Sequence, residues 1–185
     1  MRIYGQISDS VAPGAAMSDD LIPFPPTDSV SLRNAFGRFG TGVTIVTTLT
    51  DAGPLGMTAN SFSSVSLDPP LVLWSAALRS KRHDAFAGAQ HFCIHVLDED
   101  QRGLAEHFAG QGHDFSPFTW AEGPTGAPQL AGCLAAFHCS RFAVHPAGDH
   151  SVILGQITHA AEREGHGAGL LFDQGRFGRF QSKDQ

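Results

Sequence analysis

Short runs of strand-forming residues, separated by turn residues, recur along most of this 185-residue chain. The clearest run is 43–48, Val-Thr-Ile-Val-Thr-Thr, in which every side chain is β-branched, the shape that strands favour. Similar runs occupy 55–62, 71–74, 92–97, 134–144, 151–157, 170–172 and 176–180. Helical segments do not alternate regularly with these runs, as they would in a parallel sheet. The pattern predicts a mainly β fold with appended helices, built on an antiparallel barrel.

Apolar side chains recur at the spacing of one helix face after residue 29. They are Leu32, Ala35, Phe36 and Phe39. Asp28 or Ser29 can cap the helix that this spacing predicts, because short polar side chains accept hydrogen bonds from the free N–H groups of the first turn. Gly40 and Gly42 are expected to end it.

Two further helices and one long loop are expected. A short helix is predicted over 82–87. Asp98 and Gln101 have the spacing of a capping box, with Asp in place of Ser or Thr, so a longer helix should follow them. Its expected apolar face consists of Leu104, Ala105 and Phe108. Residues 110–128 are polar and rich in Gly and Pro, which predicts a long loop.

The first 28 residues differ in composition from the rest of the chain. They are rich in Pro, Gly, Ser and Asp, and the run 22–26, Ile-Pro-Phe-Pro-Pro, cannot continue a helix. We expect residues 1–28 to form a flexible arm, with Met17 as an alternative start. Residues 29–185 should then form one domain, since a chain of this length can bury a substantial core.

Composition and charge argue against several classes of partner. The formal net charge of -6 disfavours nucleic acid, which usually requires a basic surface. No apolar run approaches the ~20 residues of a membrane helix. Residues 1–16 contain a single basic residue, Arg2, and do not resemble a secretory signal. Three cysteines without a C-x-x-C pair predict reduced thiols in a cytoplasmic protein.

Three common kinds of site are not expected. The ten histidines and three cysteines include no zinc-type pair of pairs, and the adjacent His138 and Cys139 would point to opposite faces of a strand. No metal is therefore expected. Glycines at 37, 40 and 42 follow a helix and precede a strand, the reverse of the order in a dinucleotide-binding fingerprint. No G-x-S-x-G motif of a hydrolase occurs.

Three other segments are candidates for binding a ligand. Segment 56–71 is rich in small hydroxyl residues, which let backbone N–H groups approach a planar ligand, although a strand and a Ser-rich turn also explain it. The basic cluster 79–83, Arg-Ser-Lys-Arg-His, suits a phosphate or a solvated turn. His150 follows Gly148 and Asp149 at the start of a strand, where a structural and a functional role are both open.

In their order along the chain, these segments resemble the flavin reductase family. Its members are the short-chain reductases that supply reduced flavin to a separate oxygenase in two-component flavin monooxygenases. The similarity covers roughly residues 32–180. Its motifs are FGTGVTIVTT at 39–48, GMTANSF at 56–62, SVSLDPPL at 64–71, LAEHFA at 104–109, GDH at 148–150 and GRF at 175–177.

The resemblance implies a split β-barrel of Greek-key topology, the FMN-binding split barrel, that works as a homodimer with flavin near the subunit interface. The implied activity is NAD(P)H-dependent reduction of FMN or FAD for a separate monooxygenase. A flavin-binding electron-transfer protein with little NAD(P)H turnover, or a repurposed member of the same fold, is the alternative. The choices between FMN and FAD, and between NADH and NADPH, stay open.

The resemblance also implies roles for individual residues. The side of the flavin would be lined by Thr58, Ala59, Asn60 and Ser61, and the edge of its isoalloxazine ring would be reached by backbone groups of Ser64, Val65 and Ser66. Its phosphate would be approached by Ser80 and Arg82, while His150 would lie by the nicotinamide. This chain departs from many relatives at 79–82, where they carry more Ser and Thr, and at Phe177, where they often carry Tyr.

Overall fold

The computed structural model describes residues 21–181. The predicted flexible arm, residues 1–28, therefore lies mostly outside the described residues. Its described part, 21–28, forms neither helix nor strand and is exposed to solvent.

Between residues 21 and 181 the chain forms twelve strands and three α-helices. The strands β1 to β12 are Thr41–Gly42, Thr44–Thr50, Gly53–Ala59, Ser63–Leu67, Pro70–Ala77, His91–Val96, Trp120–Glu122, Pro128–Leu130, Ala135–Ala147, His150–Glu162, Leu170–Asp173 and Arg176–Arg179. The helices α1 to α3 are Ser29–Phe36, His83–Gly88 and Arg102–Gly110. A short 3₁₀ helix, Glu99–Gln101, leads into α3. These elements confirm the predicted mainly β fold with appended helices.

Seven antiparallel strands form the main sheet, in the order β3-β2-β6-β9-β10-β5-β4. The two edge strands, β3 and β4, are consecutive in the chain, and only residues 60–62 join them. The four residue steps from Ala59 to Ser63 reach about 14 Å at most. Seven flat strands would instead spread over about 29 Å, at a spacing of about 4.8 Å. The sheet must therefore coil until the end of β3 lies within about 14 Å of the start of β4, with an opening between these two strands, which do not pair with each other.

Two apolar clusters lie on opposite faces of this sheet, since Val46 of β2 belongs to the first and its neighbour Ile45 to the second. The first contains Trp74, whose ring packs edge-on against Phe86 with centroids 5.3 Å apart, together with Phe92, Ile94 and Ile153. Burying each such side chain stabilises the fold by about 1.5–3 kcal/mol. The second cluster joins α3 to the sheet through Phe108, which packs over Gly56 so closely that an added Cβ would lie 2.5 Å from its ring. The contact fixes α3 against the edge strand β3.

Local capping signals in the sequence are confirmed. The Asp28 carboxylate accepts hydrogen bonds from the N–H groups of Val30 and Ser31, both at 3.1 Å, and so caps α1. The capping box of Asp98 and Gln101 is present before α3. The buried residues of α3 are the expected ones, Leu104, Ala105 and Phe108.

The structure corrects several element boundaries. The helix α1 ends at Phe36 instead of near Gly40, because the carbonyl of Gly37 accepts a hydrogen bond from Gln174 at 2.9 Å instead of continuing the helix. The predicted strand 55–62 ends at Ala59, and the Ser-rich segment after it is the edge strand β4. The predicted loop 110–128 contains β7, which pairs with β8.

The apolar face of α1 is also not buried in the chain as described. No residue of α1 is buried, and Phe36 is 70% exposed. Phe39, just beyond the helix, is 78% exposed. The helix is held by its two ends instead of by a packed face.

Candidate active site

The opening between β3 and β4 collects the predicted ligand-binding residues from segments that are distant in sequence. Thr58 and Ala59 end β3, and Asn60 and Ser61 begin the crossing to β4. Ser61 ties this crossing to β5, because its Oγ accepts a hydrogen bond from the N–H of Ser75 at 2.9 Å. The crossing is thereby held in place beside the sheet.

Strand β4 offers backbone groups to a ligand. It pairs only with β5, so its other side carries N–H and C=O groups that no strand of the described sheet occupies. The pairing register shifts between Ser64 and Ser66, which leaves Val65 in a bulge with 46% of its surface exposed. Bulges re-aim the backbone next to binding sites. The polar edge of a planar ligand can bond here to the main chain.

Two hydroxyl groups support the backbone at the end of β3. Thr58 Oγ1 donates to the carbonyl of Ala105 at 2.7 Å and so links β3 to α3. Thr44 Oγ1 donates to the carbonyl of Ala59 at 2.7 Å. Asn60 is exposed, whereas Ala59 is buried. In this stretch, Asn60 therefore has the side chain that is most open to a ligand.

Arg82 ties three backbone segments together just beyond the opening. Its Nη1 donates to the carbonyls of Gly56 and Phe108 at 2.9 and 2.7 Å, and its Nη2 donates to that of Ala109 at 2.8 Å. Partial burial lowers the pKa of Arg82. A guanidinium has five N–H donors, so two of them have no partner among residues 21–181. Binding of the flavin phosphate by Arg82 stays a prediction. Only these two N–H donors are available for it.

Ser80 lies in the turn before Arg82. Its Oγ accepts a hydrogen bond from the N–H of Arg82 at 3.3 Å and is 3.8 Å from Sδ of Met57 on β3. The turn itself is closed by a hydrogen bond from the N–H of Ser80 to the carbonyl of Ala77 at 2.9 Å. The structure thus places Ser80 in contact with Met57 of β3.

His150 begins β10 and lies next to this same turn. It is paired with Ala77 in the sheet, and the carbonyl of the preceding Asp149 accepts a hydrogen bond from Leu78 at 2.9 Å. Its Nδ1 is 2.7 Å from Oδ1 of Asp149. The hydrogen bond with His150 lowers the pKa of the Asp149 carboxyl group. His150 is therefore oriented by a carboxylate and is partly exposed.

A large cavity of about 1040 Å³ opens on the other side of the crossing. Its walls come from the crossing itself, from the end of α1 and from the turn between β11 and β12. They include Asn60, Ser61, Phe36, Phe39, Phe172 and Gln174. Ser80, Arg82 and His150 do not line it. The cavity thus shares Asn60 and Ser61 with the crossing between β3 and β4.

No group of three or more His, Cys, Asp or Glu residues within 21–181 has the arrangement of a metal site. No helix in that range has the length and apolarity needed to span a membrane. The three cysteines form no disulfide, and burial raises the pKa of Cys139 to about 12.

Comparison with known proteins identifies the family. The model of one family, described as the flavin reductase like domain, matches residues 36–181. The chain belongs to the flavin reductase-like family. It is 53% identical over 153 residues to the FMN reductase (NADH) SmoA of Agrobacterium fabrum, and the match covers 83% of this chain and 87% of that protein.

Two further flavin reductase-like proteins show the same relationship. The flavin-dependent monooxygenase reductase subunit HsaB of Rhodococcus jostii is 37% identical over 161 residues, which are 86% of this chain and 82% of that one. The solved structure of the NADH:FAD oxidoreductase SgcE6 of Streptomyces globisporus, in complex with NAD and FAD fragments, superposes with a TM-score of 0.83. It is 39% identical and covers 89% of this chain and all of that one.

The site residues described above suit the flavin that this family acts on. A flavin needs a flat slot for its ring, hydrogen-bonding groups along the polar edge of that ring, and polar contacts for its phosphate. The exposed edge of β4 supplies backbone groups, and the crossing supplies the amide of Asn60. Ser80 and the two remaining donors of Arg82 stand at one end of the opening.

The large cavity is lined by Asn60 and Ser61, which the sequence predicted as site residues, and also by Arg33, Arg38 and Gln174, which it did not. The only local signal was the Gln-Gly pair at 174–175, which predicts a turn. Nothing in the sequence indicated that this turn meets the end of α1.

Proposed function

We propose that this protein is an NAD(P)H-dependent flavin reductase that reduces FMN or FAD. The observation that carries the proposal is the opening between β3 and β4, with the exposed edge of β4 on one side and the large cavity beside it. Two ligands can then meet at Asn60 and Ser61. The hydride chemistry itself belongs to nicotinamide and flavin, so the protein has to hold the two rings in register and no acid–base pair is required.

The proposed contacts follow the opening from end to end. Thr58, Ala59, Asn60 and Ser61 line the flavin, and the backbone of Ser64, Val65 and Ser66 bonds to the polar edge of its ring. Ser80 and Arg82 approach its phosphate. His150, held by Asp149, positions the nicotinamide. Support comes from the contacts that cross the opening, Ser61 to Ser75 and Arg82 to Gly56.

We also propose that residues 29–185 form one split barrel of Greek-key topology. The support is the coiled main sheet, whose edge strands β3 and β4 are joined by three residues. An open barrel of this kind leaves a slot between its edges. The slot is the proposed flavin site.

A homodimer is the proposed assembly, and a separate monooxygenase is the proposed acceptor of the reduced flavin. The exposed apolar side chains of Leu67 and Phe142 support burial against a second copy of the chain. The subunit name of the Rhodococcus relative supports the monooxygenase partner. Free, buried Cys93 and Cys139 support a reducing, cytoplasmic location.

A steady-state assay tests the activity directly. NADH and NADPH are each combined with FMN, FAD and riboflavin, and nicotinamide oxidation is followed with and without the protein. We expect at least one pair to react well above the uncatalysed rate. If the protein binds flavin but accelerates no pair, it is a flavin-binding electron-transfer protein and the proposal is wrong.

A further inference from the structure

Two arginines line the large cavity without a neutralising partner. Arg33 lies in the last turn of α1 and Arg38 just beyond it, and both are exposed. Within residues 21–181 neither side chain makes an ion pair or a hydrogen bond. No Asp or Glu is among the residues that line the cavity. The cavity therefore carries two positive charges, in a chain whose net charge is -6.

The rest of the cavity wall is suited to flat rings. Phe36, Phe39 and Phe172 contribute aromatic surface, and Asn34, Asn60 and Gln174 contribute amide groups. Guanidinium groups bind phosphate through charge-assisted hydrogen bonds, while aromatic side chains stack on bases. A wall of this composition suits a molecule that combines phosphate with planar rings. A nucleotide has this composition.

The position of the cavity indicates which nucleotide it holds. Its volume of about 1040 Å³ is at the upper end of what single ligands occupy, about 300–1,000 Å³. The proposed flavin phosphate site, at Ser80 and Arg82, does not line it. It meets the flavin site only at Asn60 and Ser61. With the flavin phosphate at Ser80 and Arg82, as proposed above, an anion bound in the cavity would belong to the second substrate.

The chain holds both arginines at fixed positions. The carbonyl of Gly37, between them, accepts a hydrogen bond from Gln174 at 2.9 Å, so the end of α1 is joined to the turn between β11 and β12. Gln174 adopts a left-handed conformation with φ of 46°, which keeps this turn tight. The start of α1 is capped by Asp28. Arg33 and Arg38 thus flank an anchored point of the backbone.

We propose that Arg33 and Arg38 bind the diphosphate of the nicotinamide dinucleotide and so position its nicotinamide over the flavin ring. The inference rests on the proposed reductase function. It assigns these two residues a role in affinity for the dinucleotide and none in binding flavin.

The test compares hydride donors with and without phosphate. Arg33→Gln, Arg38→Gln and the double variant are assayed with NADH and with 1-benzyl-1,4-dihydronicotinamide, which has no phosphate. Each single variant should lose about tenfold in kcat/KM with NADH, equivalent to about 1.4 kcal/mol. The double variant should lose more, and rates with the benzyl donor should not change. Calorimetric titration with NAD⁺ should show a matching loss of affinity.

A second comparison assigns the phosphate to one of the two substrates. Each assay is repeated with FMN and with riboflavin, which lacks phosphate. A loss with FMN that disappears with riboflavin would place the arginines on the flavin phosphate and overturn the proposal. Equal losses with NADH and with 1-benzyl-1,4-dihydronicotinamide would indicate a structural role for the arginines and would also overturn the proposal. Unchanged kinetics and unchanged NAD⁺ affinity in all three variants would overturn it as well.

A matched control excludes a general effect of charge. Arg179→Gln also removes one exposed arginine. Nη1 of Arg179 lies 3.4 Å from Oε2 of Glu99, and Arg179 does not line the cavity. It should keep the NADH kinetics of the unmodified protein. If the unmodified protein reduces flavin with neither donor, the proposed function is wrong. If the unmodified protein reduces flavin with both donors and the Arg33 and Arg38 variants have unchanged kinetics, only the role proposed for the two arginines is wrong.

Discussion

Replacing Arg82 by methionine should lower the free energy of unfolding by about 3–4 kcal/mol. Hydrogen bonds that involve a charged group contribute about 1.5–3 kcal/mol each. Arg82 makes three of them, to Gly56, Phe108 and Ala109, of which the first two are partly buried and the third is exposed. We count only the two partly buried bonds, near the lower end of that range. Methionine keeps an apolar stem of similar length but cannot donate.

Urea unfolding followed by tryptophan fluorescence measures this change, because Trp74 is fully buried in the core. Arg82→Lys provides the comparison, since its compact ammonium keeps the charge but cannot present the planar fork that reaches three carbonyls. We expect Arg82→Lys to be intermediate in stability. A loss below about 0.5 kcal/mol for Arg82→Met, the range of ordinary surface substitutions, would refute the assignment of these contacts.

The same variants test the predicted phosphate role of Arg82. The two donors that remain free should each add a charge-assisted hydrogen bond to a flavin phosphate. Arg82→Met would then weaken FMN binding by about tenfold more than riboflavin binding. Equal effects on the two flavins would show that Arg82 acts on the site only through the backbone segments that it joins.

Three further predictions address the core and the nicotinamide side. Burial lowers the pKa of His95 to about 4. As the pH falls from about 6.5 to 4, the unfolded chain therefore takes up a proton at this residue that the folded protein does not, and the free energy of unfolding decreases. The side chain in His95→Gln cannot titrate. Between pH 7 and pH 5 the unmodified protein should therefore lose about 2 kcal/mol more of its unfolding free energy than this variant does. Parallel dependences of the two unfolding free energies on pH would contradict this. Gly155→Ala should destabilise the protein by about 1–3 kcal/mol in thermal or urea unfolding, because an added Cβ would lie 2.5 Å from the ring of Phe92. Gly88→Ala, with nothing within 4 Å, is the control, and equal stabilities of the two variants would refute the close packing. His150→Ala should raise KM for NADH or slow single-turnover reduction while FMN affinity, measured by titration, stays the same; a parallel loss of FMN affinity and melting temperature would indicate a structural histidine instead.

Local sequence signals were sufficient for most of the elements. The β-branched run at 43–48 predicted β2, and the spacing of Asp98 and Gln101 predicted the start of α3, because both signals act between neighbouring residues. The resemblance of the ordered motifs also predicted the family, which the match over 36–181 confirms. It also predicted that residues 58–61 and 64–66 bind flavin, and this role stays a prediction; the structure places the two stretches at the end of β3 and in β4.

Other features depended on contacts between distant segments. The strand β4 is Ser-rich and exposed, so no apolar pattern predicted it, and its pairing with β5 defines it. The apolar spacing in α1 predicted a buried face, yet that face is open and borders a cavity.

The sequence by itself determined the position of β2 and the starts of α1 and of the 3₁₀ helix before α3, because capping and β-branched residues act over a few positions. Only the tertiary structure decided that the guanidinium of Arg82 would bond to carbonyls of β3 and α3. It alone brought Arg33 and Arg38 to the same cavity as Asn60. These placements follow from the coiling of a seven-stranded sheet and from the bond between Gly37 and Gln174, which lie 137 positions apart in the chain. Contacts over such separations arise from the packing of the whole domain, and no local pattern encodes them.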